Sequence, residues 1–300
     1  MSLWVPVTIA AALFQTVRFM LQKTLSTVRL SAAGATFARF AYSAPLAVLA
    51  LGLAVMAGGA EVPALLPKFW LFVAIGGTAQ ILATVCVVAL FKQRNFAVGI
   101  TFKKTEVIQT AIVGLIILGE GVTLGALGAI LLGLMAVLLL SRTPGGGGAW
   151  WRHLTNRASQ LGLGSGVLFA FSAVSYRGAS LQLQDTDAWL RALITLAAVT
   201  SFQLLSMGLW LFWRDRAELR AVWETRRTGI FVGLTSLGGS FCWFLAFTLQ
   251  NAAYVKALGQ VELIFSLLAS TLFFRESITR RELTGIVLLG LSILALVLAI

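Results

Sequence analysis

The sequence predicts an all-α polytopic membrane protein of ten transmembrane helices, arranged as two inverted five-helix repeats. Three observations predict it. The 300 residues are 59% hydrophobic and 11% charged, with mean hydropathy +0.92, whereas soluble domains carry about 25% charged residues. Ten apolar windows are each long enough to cross about 30 Å of hydrocarbon as helix. Residues 86–120 also resemble residues 242–276 at a fixed offset of 156.

The windows fall at 3–22, 32–57, 66–90, 95–118, 122–141, 161–181, 187–212, 228–250, 252–274 and 282–300. The first lacks a basic leader and a small-residue cleavage site, so it reads as a span and not as a removable signal. Residues 141–160, "SRTPGGGGAWWRHLTNRASQ", hold a proline and four consecutive glycines. They read as a flexible linker. The organisation is thus a first repeat at 1–141, a cytoplasmic linker at 142–160 and a second, inverted repeat at 161–300.

Net charge of +12 suggests nucleic acid only in a soluble protein. Here basic residues orient spans, because Lys and Arg accumulate in cytoplasmic loops. With the N-terminus outside, fifteen basic residues fall in inner loops and three, Lys68, Arg177 and Arg191, in outer ones. Both termini are then expected on the non-cytoplasmic side of a membrane of the bacterial inner (plasma) type. Trp70, Trp189, Trp210, Trp213 and Trp223, with Trp150 and Trp151, lie near span ends as an aromatic belt.

Five basic residues remain inside spans: Arg18, Arg39, Lys103, Lys104 and Lys256. Glu106 and Glu262 join them. Each central charge costs roughly 2.5–3.5 kcal/mol on insertion scales, and each Leu, Ile or Val returns only about 0.3–0.6 kcal/mol. The span "FKKTEVIQTAIVGLIILGE" at 102–120 therefore has to face protein or a wet cavity along its charged stripe.

The duplication gathers these charges. Cys86 matches Cys242, Asn95 matches Asn251, Ala97 matches Ala253, Glu106 matches Glu262 and Glu120 matches Glu276. Copying five helices inverts the second set, an architecture recurrent in secondary transporters with the site near mid-membrane. Both glutamates then lie about 15 Å deep at 1.5 Å per residue. Helical spacing puts Gly99, Lys103, Glu106, Thr110 and Val113 on one face, and Val255, Gly259, Glu262, Ser266 and Ala269 on its counterpart. Gln15, Arg18 and Gln22 form a stripe on the first span. Gln80 marks the third, Ser165, Phe169, Ser172 and Tyr176 a milder stripe on the sixth, and Trp243 the eighth. Spans five and ten carry no internal charge and read as support helices packed through Gly125, Gly128, Gly133, Gly285 and Gly290.

Arg39 early in span two and the endings "IILGE" (116–120) and "LFFRE" (272–276), with the two five-helix halves, resemble the drug/metabolite transporter superfamily. The EamA-type ten-span members are the nearest in pattern. "YVKALGQVELIF" (254–265) also resembles the ninth span of nucleotide-sugar transporters. The chain departs from many relatives in placing Val107 and Leu263, not proline, after the glutamates. The resemblance implies a ten-helix basket in which spans one to four and six to nine surround a central cavity. It implies alternating-access transport of amino acids, other metabolites, phosphorylated sugars or drugs.

The expected substrate-binding residues are Lys103, Glu106, Lys104, Lys256, Glu262, Arg39, Gln15, Arg18, Gln80 and Trp243. The competing reading makes the lysines and glutamates a structural ion-pair cluster, lets Arg18 and Arg39 snorkel, and gives Trp243 to packing. Five intramembrane cations against two carboxylates lean the expected substrate toward carboxylate- or phosphate-bearing metabolites such as amino or organic acids. The expected function is a secondary exporter or exchanger. A proton-coupled antiporter of organic cations is the alternative, with Glu262 as the proton site because no lysine lies within a turn of it. A channel or lipid scramblase is the alternative of another class. The sequence has no HExxH, GxSxG, intramembrane aspartate pair or GxxxxGK[ST], and His153 is its one histidine. This argues against an enzyme, a metal centre or ATP-driven pumping, and no cofactor is expected. The expected partners are a small substrate, membrane lipids and H⁺ or a counter-substrate. Nucleic acid is not expected, and a monomer suffices.

Overall fold

The computed structural model describes residues 2–28, 30–58, 61–91, 102–140, 157–183, 185–265, 268 and 280–300. Its elements there are helices α1 (Trp4–Val28), α2 (Ala32–Gly58), α3 (Pro67–Phe91), α4 (Glu106–Leu118), α5 (Leu124–Leu140) and α6 (Arg157–Ser180). They continue with α7 (Ala188–Arg214), α8 (Arg216–Glu224), α9 (Arg226–Leu249), α10 (Ala252–Leu258) and α11 (Arg280–Leu298). Among the described residues, seven helices are long and apolar enough to cross a membrane, and α4 and α5 are shorter apolar helices. Most of the linker, His153, Asn95, Ala97, Gly99, Ser266, Ala269 and Glu276 lie outside the described residues. The second half begins its helix at Arg157, inside the range read as linker.

The helices interlock across the two halves. α3 lies along α6, α1 along α9, α2 along α7 and α5 along α11. The main core joins Phe69, Val73, Tyr176, Ile194, Phe244 and Leu258 from five helices. Leu115, Ile116, Leu124, Leu131, Leu205, Leu209 and Leu294 point outward and are exposed, which suits acyl chains and not water. Trp70, Trp189, Trp210, Trp213 and Trp223 are exposed near helix ends, where an interfacial belt puts them.

The support pair is α5 with α11. Ser292 donates to the Ala129 carbonyl at 2.7 Å, and a side chain on Gly133 or Gly285 would collide with Ser292 or Leu140. Gly125 meets Ala299, whereas Gly128 and Gly290 face open space, so three of the five expected small-residue contacts form.

Two features depart from the sequence reading. The stretch between α7 and α9, read as an inner loop, forms the amphipathic helix α8. Its N-cap Asp215 accepts from the Glu218 amide at 3.2 Å, and Glu218 Oε1 accepts from the Ser31 amide at 2.7 Å. Val222 turns inward while Trp223 stays exposed. The second departure is that the helical path breaks before each intramembrane glutamate. Lys104 and Thr105 form a turn immediately before α4, and Gly259–Val261 form a 3₁₀ turn after α10. Proline is not the cause, so the breaks follow from packing. At Gly259 a Cβ would lie 2.5 Å from the Trp243 ring, so glycine lets the indole approach the backbone.

Candidate functional site

A cleft lined by polar, basic and aromatic side chains lies between the halves. Of the ten residues expected to bind substrate, six line it: Gln15, Arg18, Arg39, Gln80, Trp243 and Lys256. The other four, Lys103, Lys104, Glu106 and Glu262, form a buried ion cluster beside it. Lys256 belongs to both.

The cluster is wired across the halves. Glu106 Oε1 lies 3.4 Å from Lys103 Nζ on its own segment and 3.9 Å from Lys256 Nζ across the bundle. Glu262 Oε1 pairs with Lys104 and lies 3.8 Å from Lys103 Nζ. Its other oxygen accepts from Gln15 Nε2 at 2.5 Å. Lys103, Lys104 and Glu106 are each under 5% exposed. Spacing within one helix could show that Lys256 and Glu262, six residues apart, do not pair. It could not show that each glutamate also meets a lysine of the other half. The premise that singled out Glu262 as a proton site, a glutamate with no lysine nearby, does not hold in three dimensions.

Lys256 also sits among aromatic rings, 5.0 Å from the Trp243 centroid, 5.4 Å from Phe169 and 5.9 Å from Phe247. Such faces attract a cation. Trp243 stacks on Phe247 with centroids 5.6 Å apart. The indole is thus a cavity wall and not merely packing.

The arginines are held differently. Arg39 Nε donates to Ser236 Oγ at 2.8 Å and Nη2 to Ser240 Oγ at 3.0 Å. Arg18 lies against the Phe19 ring at 4.5 Å. Both residues are 4% exposed, and Nη1 of each has no protein acceptor. Among the described residues no carboxylate forms an ion pair with either, and both side chains are buried within the bundle. A guanidinium buried without a counter-charge carries a desolvation cost that an anion would offset.

A neutral network braces the opposite wall. Gln80 Oε1 accepts from Tyr176 at 2.9 Å and from Gln203 Nε2 at 2.9 Å, and Tyr176 stacks on Phe244 at 4.3 Å. Tyr176 was legible as part of the sixth-span stripe. Gln203, Ser236 and Ser240 were missed, and their only signal was a polar residue, or a Ser-x₃-Ser step, in an apolar helix. Other polar expectations resolve as structural. Gln22 donates to the Ala35 carbonyl at 3.1 Å, and Arg191 to the Ser180 carbonyl at 3.0 Å.

Where α4 ends, Gly119 adopts φ 69° and closes the helix, placing Glu120 against Arg177. Arg177 Nε meets Glu120 Oε2 at 2.6 Å, and Nη1 donates to the Phe247 and Gln250 carbonyls, each at 2.8 Å. Cys86 and Cys242 are free thiols. Among the described residues no group of three His, Cys, Asp or Glu could hold a metal.

No curated protein matches the sequence. A protein of known crystal structure superposes with TM-score 0.69 over 99% of this chain and 98% of its own, at 13% identity. That likeness shows a shared fold alone. Residues 156–298 match the family model of the EamA-like transporter family. The match covers the part that supplies Lys256, Glu262, Trp243, Ser236 and Ser240 to the cavity and its ion cluster; it places that part in the EamA-like transporter family and supports membership of this integral membrane protein in the drug/metabolite transporter superfamily.

Proposed function

We propose that the chain is a secondary active transporter, an exporter or exchanger, that carries small metabolites bearing a carboxylate or phosphate by alternating access. The observation that carries this reading is the pair of buried guanidiniums, Arg18 and Arg39, lining the cavity with no carboxylate partner among the described residues. Arg suits both anions through its planar fork of donors. Amino or organic acids are the substrates considered first.

An inverted, pseudo-twofold pairing of two five-helix halves supports the mechanism. Exchanging α1 with α6, α2 with α7, α3 with α9, α4 with α10 and α5 with α11 converts the α1·α9 contact into α6·α3. The same exchange turns α2·α9 into α7·α3. The α2·α7, α4·α10 and α5·α11 contacts map onto themselves. Two halves related in this way can rock about a fixed site. The helix breaks before Glu106 and Glu262 give each half a hinge at corresponding depth. Both termini would face away from the cytoplasm, and one chain would form the whole path.

The antiporter reading has to pass through Glu262, and there a proton would have to displace Lys104 first. The channel and scramblase readings predict flux without saturation or counter-transport. Proteoliposomes loaded with mono- and dicarboxylates and phosphate esters separate these readings. Saturable counter-flow of anions is expected, falling about tenfold or more in Arg39→Gln and in Arg18→Gln. Anion flux unchanged in both variants overturns the reading.

A further inference from the structure

Every buried polar atom of the cavity wall that lacks a protein partner is a donor: Arg18 Nη1, Arg39 Nη1 and Trp243 Nε1. No acidic side chain lines the cavity among the described residues. The two glutamates nearby are outside this lining, and Oε1 of each is held by lysines, Glu106 by Lys103 and Lys256, Glu262 by Lys104 and Lys103. The oxygen of Gln80 already takes two donors. The lining also includes the aromatic rings of Phe169, Trp243, Phe244 and Phe247.

From this we infer that the cavity selects an organic anion with a flat apolar body and no ammonium group, and rejects the amino acid of the same shape. The inference rests on the anion reading above and sharpens it. The acid group of such a ligand takes the free N–H of Arg18 and Arg39, and an acceptor near the ring meets the indole N–H of Trp243. The apolar body lies along the aromatic rings. An α-ammonium has no carboxylate to meet there and faces Arg18, Arg39 and Lys256 at close quarters. A desolvated charge without a counter-ion is costly in such a site, and rejection by an unpaired charge is an effective source of specificity.

The test uses three probes that share a phenylethyl unit: 3-phenylpropionate, phenylalanine and phenethylamine. Thermal stabilisation of the full purified chain and counter-flow in liposomes are read for each, with succinate as an apolar-free anion. A ligand that binds only the native state raises its melting temperature. 3-Phenylpropionate is expected to stabilise and exchange. Phenylalanine is expected to be weaker by about tenfold or more, and phenethylamine to be inert. Arg39→Gln is expected to abolish the preference for the acid over the amino acid, and Trp243→Leu to weaken 3-phenylpropionate while sparing succinate. Phenylalanine binding as well as 3-phenylpropionate overturns the inference and leaves the anion reading standing. So does binding of succinate with no response to 3-phenylpropionate. Binding of phenethylamine alone overturns both.

Discussion

Two ion-pair systems join the halves of this protein, and they are built to opposite specifications. At the end of α4, Arg177 Nε meets Glu120 at 2.6 Å and Nη1 donates to the Phe247 and Gln250 carbonyls. Every strong group has a partner at ordinary distance. In the centre, three lysines share two glutamates, two of the contacts to Glu106 and Glu262 stretch to 3.9 and 3.8 Å, and Glu106 Oε2 has no hydrogen-bond partner among the described residues. The clamp has one good arrangement. The cluster offers an alternative, because Lys103 lies within 4 Å of a carboxylate oxygen of both glutamates. A transporter needs both kinds of contact, one that holds a state and one that yields when charge enters beside it. That contrast is between a satisfied and a competing network, not between a strong and a weak one.

Three experiments break or sharpen the comparison. The largest effect is expected in the centre. Glu262→Ala strands Lys104, which is 3% exposed, and should lower unfolding stability in detergent by about 3–5 kcal/mol. Replacing both partners, Lys104→Met with Glu262→Met, should recover most of that loss and still not restore transport. A double variant no more stable than the single one would remove the pairing as the source. Next comes the clamp. Arg177→Ala should cost about 1–2 kcal/mol, discounted because Arg177 and Glu120 are partly exposed. Arg177→Lys should recover less than half, since an ammonium cannot span three acceptors in Arg's planar geometry. Equal loss from the clamp and the cluster would erase the distinction between them. An effect no larger than the clamp's is expected at the helix break after α10. Gly259→Ala places a methyl against Trp243 and should cost about 1–2 kcal/mol, relieved when Trp243→Leu is added. Melting curves of the three chains check this directly.

The parts legible in the sequence were those whose cost in a membrane is high. An isolated Lys, Arg or Glu in an apolar run announces itself, and the seven charged residues picked out this way lie in the cavity wall or the adjoining cluster. Partnership was not legible, because Lys104 and Glu262 are 158 positions apart and helical spacing speaks only within a helix. Ser236, Ser240 and Gln203 carry no charge and are cheap to bury when they find a carbonyl or hydroxyl, so nothing marked them. The break at Gly259 has no proline to signal it. Helix α8 is too polar for a hydropathy window, although Asp215 followed by Glu218 is a recognisable start.

The exchange of lysines across the bundle has a bearing on descent. At the offset of 156 that aligns the glutamates, the counterpart of Lys104 is Gln260 and that of Lys256 is Ile100. A chain assembled from two copies of the first half would bring four lysines to two glutamates. One assembled from two copies of the second half would lack the residue that meets Glu262. Each half thus depends on residues that the other lacks at the aligned positions.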